Sequence, residues 1–147
     1  MNNHTVVIRE AHQQDITPLV GLMEQLGYPT TEEVFKIRMD ALEQHEDYQI
    51  FVAEVDEQVV GMIGLIRELR FERDGVHVRI GSLVVNEQYR GAGIGHSLVQ
   101  AAEGWAGSVG AQAIALNSGN RDERTGAHEF YRKLGFAGLS TGFVKKL

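Results

Sequence analysis

A glycine-rich stretch in the second half of the chain has the composition of an anion-binding turn. Gly91, Gly93 and Gly95 alternate with other residues directly before a segment of helical periodicity. Glycines at alternate positions let successive backbone N–H groups converge on one point. The start of the helix adds unpaired N–H groups and the positive end of its dipole. The stretch predicts a site for a pyrophosphate, although a mobile turn that binds nothing has the same glycines.

The sequence lacks the motifs and residues that several other kinds of site require. The glycine spacing is not Gly-x-Gly-x-x-Gly, and no Gly-Lys-Ser/Thr is present, which excludes a P-loop ATPase. The chain has no cysteine, which excludes disulfides, thiolate zinc sites and a cysteine nucleophile. The 6 histidines are scattered without a His-x-x-x-His pair, so we predict no metal site.

The elements around this turn predict a single α/β domain over residues 1–147, with a mixed sheet flanked by helices. Asp15 can cap the first helix, and Thr30 with Glu33 forms a possible capping box for the second. In chain order, the predicted elements are a strand at 6–9, helices at 16–26 and 31–42, three antiparallel strands at 49–55, 59–71 and 76–85, a helix from 94, a buried strand at 113–116, a helix at 127–134 and a last strand at 139–147.

Composition and charge indicate where in the cell the protein is located and which classes of partner are disfavoured. The chain has 147 residues, of which 43% are hydrophobic and 23% are charged, enough for a core without covalent staples. The formal net charge of -6 disfavours a nucleic-acid partner. No apolar run approaches the ~20 residues that span a bilayer, and the N-terminus lacks the apolar core of a signal peptide. We expect a cytoplasmic protein with no membrane partner.

Two motifs in this order of elements resemble a known family. The run 88–93, Gln-Tyr-Arg-Gly-Ala-Gly, is similar to the Gln/Arg-x-x-Gly-x-Gly/Ala motif of the GCN5-related N-acetyltransferases (GNAT), and 131–136 is similar to their Tyr-x-x-x-Gly-Phe signature. The resemblance extends from Val6 to Leu147. It implies a GNAT fold, with a mostly antiparallel central sheet and splayed central strands, and direct acetyl transfer from acetyl-CoA to a primary amine.

The same resemblance implies where acetyl-CoA binds. The cofactor would lie between the splayed strands 82–85 and 113–117, with its pantetheine amides paired to backbone groups and its pyrophosphate on the turn. Arg90 would add a charge-assisted contact or is a solvated arginine, and Asn120 would contact the CoA arm or caps a loop. The implied cofactor-binding residues are Leu83, Val84, Val85, Gln88, Tyr89, Arg90, Gly91, Ala92, Gly93, Ile94, Gly95, His96 and Asn120.

Tyr131 matches the family tyrosine whose hydroxyl protonates the departing CoA thiolate. Spacing alone also fits a core aromatic, since Tyr131 shares a helical stripe with Phe130 and Leu134. The absence of a cysteine and of a Gly-x-Ser-x-Gly elbow supports direct transfer without an acyl-enzyme. The general base stays open, because the strand at 78–83 has no carboxylate where many relatives have a glutamate. The candidates are ordered water, Ser82, Glu68, Glu72 and His77.

The acceptor and the assembly state are predicted from weaker signals. The segments 59–65, 83–85, 127–131 and 143–147 look like the aminoalkylphosphonate N-acetyltransferases, and some aminoglycoside acetyltransferases share parts of this pattern. We therefore expect a small primary amine as the acceptor. A protein or peptide amine, a sensor that binds acetyl-CoA without turnover, and a plain structural domain are the alternatives. Relatives often dimerise through an edge strand and the C-terminal segment, and apolar residues recur at 139–144, so we expect a homodimer.

Overall fold

A five-stranded sheet forms the centre of the protein, whose computed structural model describes residues 5–117 and 125–147. Its spatial order follows the chain, with antiparallel pairing from the first strand to the fourth and a parallel fifth strand beside the fourth. This arrangement confirms the predicted α/β class. The strands are β1 (Val6–Glu10), β2 (Tyr48–Val55), β3 (Gln58–Leu69), β4 (Val76–Val85) and β5 (Ala111–Leu116).

Four helices flank the sheet: α1 (Ile16–Leu26), α2 (Glu32–Glu43), α3 (Ile94–Ser108) and α4 (Thr125–Lys133). α1 ends at Gly27, whose φ of 103° is the left-handed conformation expected of a helix stop. The cap of α2 is Thr31, whose hydroxyl accepts the Val34 N–H at 3.2 Å, one residue after the predicted cap. Within the described part of the chain, no helix has the length and apolarity to cross a bilayer.

The helices divide the core into two layers, one on each face of the sheet. α1 and α2 cover one face, where Leu19 and Met39 pack with Val52, Met62 and Val84. α3 covers the other face and packs Leu98 and Val99 onto Ile63, Leu65 and Val78, among others. The alternation of β3 and β4 between these layers explains their dense hydrophobic composition, since strands buried on both faces lose the polar positions of a one-sided sheet.

β4 extends beyond the last residue that pairs with its parallel neighbour β5, so the sheet is open beside the end of β4. β5 pairs with β4 only as far as Ile80, which lies opposite Leu116. β4 then continues through Gly81–Val85 with β3 on its other side. Among the described residues, no strand pairs with this last part of β4 on the β5 side. The splayed central strands expected from the family resemblance are therefore present.

Two predictions about strands are wrong. Residues 136–147 form no regular secondary structure, and Leu139, Phe143, Val144 and Leu147 are at least 90% exposed. An apolar alternation produces a strand only where a neighbouring backbone accepts its hydrogen bonds, which a sequence pattern does not specify. β5 was predicted as a buried strand, but its side chains are half-buried or exposed because it lies at the sheet edge.

A buried ion-pair network fixes the start of α1 to the sheet. Asp15 is only 4% exposed, and its carboxylate accepts two hydrogen bonds from the Arg9 guanidinium, at 2.8 and 2.9 Å. Arg9 Nε also donates to Glu54 at 2.7 Å. Asp15 occupies the predicted cap position, but its side chain makes no cap bond to α1 and accepts the His12 N–H instead. The hydrogen bonds from Arg9 hold the pKa of Asp15 below its usual value, although burial acts in the opposite direction.

Replacing Asp15 with Asn should lower the free energy of unfolding at pH 7 by about 1–3 kcal/mol, because the half-buried Arg9 guanidinium loses its buried charge partner and keeps only Glu54. The folded state lowers the pKa of Asp15, so its contribution is complete above the unfolded pKa of roughly 4 and disappears as pH falls through the folded value. The difference between the two proteins should therefore shrink at pH 3. Urea denaturation at both pH values measures it.

Asp40→Asn serves as the matched control, since Asp40 forms an ion pair with Lys36 in which both side chains are more than 40% exposed. An exposed pair of this kind contributes at most about 1 kcal/mol. Equal destabilisation by the two substitutions, or a pH-independent effect of Asp15→Asn, would contradict a structural role for the buried network.

Candidate active site

The glycine turn between β4 and α3 has the geometry of an open backbone cradle. Gly91 and Gly93 have φ values of 84° and 80°, which side chains of L-residues rarely tolerate. A Cβ built on either residue meets no heavy atom within 4 Å, so only the backbone conformation requires glycine here. Gly93 caps α3 without any side-chain hydrogen bond. The first N–H groups of α3 have no intrahelical acceptors and point out of its N-terminus.

The short helical turn before the glycines uses some of the donors that were predicted to hold the anion. The N–H of Gln88 donates to Asn86 Oδ1 at 3.0 Å, and the N–H of Tyr89 donates to the Asn86 carbonyl at 2.8 Å. Gln25 of α1 accepts the N–H of Glu87 at 2.9 Å. The backbone donors that remain for an anion therefore follow Tyr89 in the chain, and the side chain of Tyr89 packs against the core.

Sequence reasoning missed Asn86 and Gln25, although both position the turn. Asn86 directly follows a strand, and asparagine is typical of a residue that accepts the backbone N–H two positions later, so its role had a local signal. Gln25 comes from the opposite layer of the fold and is 62 residues from Glu87 in sequence, so no local pattern indicates it.

Beside Gly81–Val85, on the side where β5 no longer pairs with β4, the sheet has an opening that we call the gap. The last residues of β4 turn their backbone towards this gap, because their side chains are held on the two faces of the sheet. Val84 is 6% exposed and packs under α1 and α2. Leu83 and Val85 pack towards α3 on the other face. The backbone edge that faces away from β3 is left for a ligand, since a backbone group without a partner is unfavourable once water is excluded. Asn120, a further predicted contact, lies outside the described residues.

A close approach between α3 and α4 positions Tyr131. A Cβ on Gly95 would lie 3.1 Å from the Phe130 ring. The glycine therefore lets α4 pack this closely against α3. Phe130, Leu134 and Phe136 pack against the core. The half-buried Tyr131 lies beside them, with edge-to-face contacts to Phe130 at 5.4 Å and to Phe136 at 6.0 Å between ring centroids. Phe130 is therefore the aromatic residue of α4 that packs against the core, and Tyr131 packs beside it between Phe130 and Phe136.

Two of the candidate bases belong to one charged cluster on β3 and β4, which consists of Glu68, Arg70, His77 and Arg79. Glu68 accepts hydrogen bonds from Arg79, the shorter at 2.6 Å, and its other oxygen lies 2.9 Å from His77 Nε2. Arg70 Nε–H donates to His77 Nδ1. Since Nδ1 accepts, Nε2 must carry the imidazole proton and donate to Glu68. Glu72, a third candidate, is exposed and lies outside the cluster.

These contacts occupy the accepting atoms of Glu68 and His77. Burial acts to raise the pKa of Glu68, but the hydrogen bonds and charge of Arg79, aided by His77, hold it below its usual value. The accepting nitrogen of His77 already receives the Arg70 donor. Ser82 and ordered water remain as candidate routes for the amine proton. In the described part of the chain, no three metal-ligating side chains form a group that could hold a metal ion.

Comparison with known proteins decides the family. The model of the acetyltransferase (GNAT) family matches residues 19–136. This protein belongs to the GNAT acetyltransferase family. An uncharacterized N-acetyltransferase of Bacillus subtilis, YhdJ, is 29% identical to it over 116 residues, which cover 78% of this chain and 80% of that protein. The match confirms the resemblance and an N-acetyltransferase activity, for which the family uses acetyl-CoA.

Solved structures agree over nearly the whole chain. A GNAT family acetyltransferase from Staphylococcus aureus has a TM-score of 0.83 at 27% identity and covers 97% of this chain and 99% of its own. A putative acetyltransferase from Agrobacterium tumefaciens has a TM-score of 0.86 at 25% identity, with 96% and 99% coverage. The fold is also that of aminoglycoside N-acetyltransferase AAC(6')-Iy in complex with CoA, with a TM-score of 0.85 at 17% identity and 99% and 97% coverage.

Replacing Gly93 with Val should weaken CoA binding at least about tenfold, or 1.4 kcal/mol, because the new side chain fills the space above the cradle. A Cβ there meets no protein atom, so a loss of affinity in the folded variant reports the new side chain above the cradle or the strained backbone of the turn itself. Gly110→Val is the matched control, since Gly110 also has a positive φ, 75°, and open space around it at the far end of α3. Calorimetric titration with CoA measures both. Equal affinities of the two folded variants would contradict an anion site on the turn.

Proposed function

We propose that the protein transfers the acetyl group of acetyl-CoA directly to the primary amine of a small molecule that also carries an anion, such as an aminoalkylphosphonate. The observation that carries the proposal is the continuity of the gap beside β4. The gap opens after Ile80, where β5 stops pairing, and runs along Gly81–Val85 to the glycine turn. A long ligand with amide groups at one end and a pyrophosphate at the other is complementary to this path.

Acetyl-CoA would occupy the gap along its length. Its pantetheine amides would pair with the backbone of Leu83–Val85, and its pyrophosphate would accept N–H groups between Arg90 and His96. Arg90 is exposed on the turn, from which its guanidinium can reach a phosphate. A backbone N–H near Val85 would polarise the thioester carbonyl and stabilise the oxyanion. An aminoglycoside N-acetyltransferase of this fold forms a complex with CoA, which supports CoA as the ligand of the proposed site.

The reaction then needs one attack and two proton movements. The neutral amine attacks the thioester carbonyl, the tetrahedral intermediate expels the CoA thiolate, and Tyr131 gives that thiolate its phenolic proton. The surplus proton of the new amide nitrogen leaves through water or Ser82. A free alkylammonium has a pKa of about 10, so the reactive fraction of the acceptor, and with it kcat/KM, should rise with pH.

The short helices α1 and α2 favour a small acceptor. α1 and α2 are 11 and 12 residues long, and they cover one end of their sheet face while the charged cluster stays at the other. The cleft is therefore bordered by a short lid and not by a long peptide groove. Aminoglycoside N-acetyltransferases, which act on small amines, are among the structures that share the fold.

We also infer a homodimer through the C-terminal segment. Phe143 and Val144 are exposed by 92% and 98%, and β5 ends the sheet with an open edge. An apolar segment and an open strand edge in one chain favour pairing with a second copy. Sedimentation velocity should give the mass of a dimer, and Phe143→Lys should shift it towards the monomer. A monomeric wild-type protein at working concentration would refute the inference.

Tyr131→Phe should lower kcat by about 100-fold or more, because the ring stays in place while the acidic proton is lost. The affinity for CoA should change little. Tyr28→Phe is the control, since Tyr28 is 65% exposed in the loop between α1 and α2. Steady-state release of CoA, followed at saturating acceptor, measures both variants. Near-normal turnover of Tyr131→Phe would assign Tyr131 to packing between Phe130 and Phe136.

The proposed function as a whole is tested by a panel of amines with acetyl-CoA. The panel contains aminoalkylphosphonates, neutral alkylamines, polyamines, an aminoglycoside and a lysine peptide, and kcat/KM is compared among them. The largest value is expected for a short amine that carries an anion. A preference for the lysine peptide would favour a protein acetyltransferase, and CoA binding without turnover of any amine would favour a sensor.

A further inference from the structure

One half of the sheet face under α1 and α2 stays uncovered, and the strand register shows which residues lie there. Met62 opposite Val84 is the last covered pair. The pairs that follow on the same face are Gly64 opposite Ser82, Ile66 opposite Arg79 and Glu68 opposite His77. We refer to these six residues as the open face. It begins where β4 separates from β5 and ends at the charged cluster.

We propose that the charged cluster is the specificity site of the enzyme, in which the guanidinium groups of Arg79 and Arg70 bind the anionic group of the acceptor while its amine reaches towards Ser82 and the gap. The inference rests on the proposed function and names the residues that select the substrate. It assigns no step in acetyl transfer to the cluster, and its members act by positioning the acceptor.

The charges of the cluster favour an anion. Two guanidinium groups share a single carboxylate, Glu68, which Arg79 contacts directly and Arg70 contacts through His77. The cluster therefore carries a net positive charge on a chain whose formal net charge is -6. A local positive site on an acidic protein attracts anions to that place and not to the surface in general.

Some N–H groups of Arg79 and Arg70 remain to donate hydrogen bonds to such an anion. Arg79 uses Nε and Nη2 on one oxygen of Glu68, and Arg70 uses Nε on His77. Within residues 5–117 and 125–147, no hydrogen-bond partner is found for Nη1 of Arg79 or for either Nη of Arg70. Phosphonate and carboxylate oxygens are suitable acceptors for these planar N–H groups, and the bonds would be charge-assisted.

The donors are also held in place before any ligand arrives. His77 connects the two halves of the cluster, and its side chain is only 17% exposed. Glu68 fixes Arg79 through two hydrogen bonds to the same oxygen. A guanidinium that is already oriented loses less side-chain entropy on binding than a free surface arginine does, so more of the contact energy appears as affinity.

The register also limits the size of the acceptor. Gly81 is the extra residue of a β-bulge, since Ser82 pairs with Gly64 while Ile80 pairs with Leu65. The bulge brings Arg79 and Ser82 onto the same face as successive side chains, about 7 Å apart along the strand. On the neighbouring strand β3, this stretch lies beside Gly64 and Ile66. A molecule with its amine and its anion separated by a few methylene groups spans this distance, whereas a larger polyamine offers no anion to the arginines.

A matched pair of acceptors tests the inference, namely 3-aminopropylphosphonate and propylamine, which differ in the anion. Arg79→Gln should raise KM for the phosphonate at least about tenfold, as expected for lost charge-assisted bonds. It should leave kcat, the KM for propylamine and the KM for acetyl-CoA within about twofold. Arg79→Lys keeps the charge without the planar fork, so it should restore part of the loss.

Arg67→Gln is the control variant, because Arg67 lies on the opposite face of β3 and pairs with the exposed Asp47. It should leave both acceptors unaffected. Arg70→Gln keeps the Glu68–Arg79 pair and provides a second test if Arg79→Gln folds poorly. Equal changes for the two acceptors, or equal changes in the Arg67 and Arg79 variants, would overturn the assignment.

The inference can fail separately from the proposed function. If neither amine is acetylated, the proposed function fails, and calorimetric titration of 3-aminopropylphosphonate in the presence of CoA still examines the cluster. Binding to the wild-type protein that Arg79→Gln abolishes would support an anion site. No binding to the wild-type protein, or equal binding to both, would overturn it.

Discussion

The structure depends on the loss of one strand neighbour part-way along β4. Up to Ile80, β4 has β3 on one side and β5 on the other, and beyond it β3 is its only strand neighbour among residues 5–117 and 125–147. The end of β4 is held between the two layers, because Leu83 and Val85 pack towards α3 and Val84 packs under the helix pair. The gap is thus an open backbone edge held rigid by side chains buried in two cores. The glycine turn, the open face and α4 all take their positions from this half-paired strand.

Two ion-pair networks use the same chemical groups in opposite proportions. At the start of α1, Arg9 is shared between Asp15 and Glu54. In the charged cluster, Glu68 faces Arg79 directly and Arg70 through His77. The first network satisfies its guanidinium with protein carboxylates and joins β1, β2 and α1. Among the described residues, the second leaves guanidinium N–H groups of Arg70 and Arg79 without a protein partner.

The sequence predicts those parts of the protein that local chemistry determines. The glycines of the turn, the stop of α1 at Gly27 and the helical stripe of α4 follow from φ preferences and periodicity, and the structure contains all three. The position of Ser82 relative to the charged cluster could not be predicted in this way, because the bulge at Gly81 shifts the alternation of β4 by one residue. A strict period of two would place Arg79 and Ser82 on opposite faces. The tail at 136–147 and the partners of Asp15 likewise depend on contacts between distant segments.

The contact of Gly95 with Phe130 has a consequence for how this sequence can vary. The Phe130 ring of α4 lies where a side chain at position 95 of α3 would otherwise be. A methyl group at position 95 would lie 3.1 Å from the ring. The two positions therefore share one volume, although they are distant in the chain. A larger residue at 95 requires a smaller one at 130, and any such exchange shifts the neighbouring tyrosine. Substitutions that enlarge residue 95 should thus be accompanied by a smaller or displaced side chain at position 130.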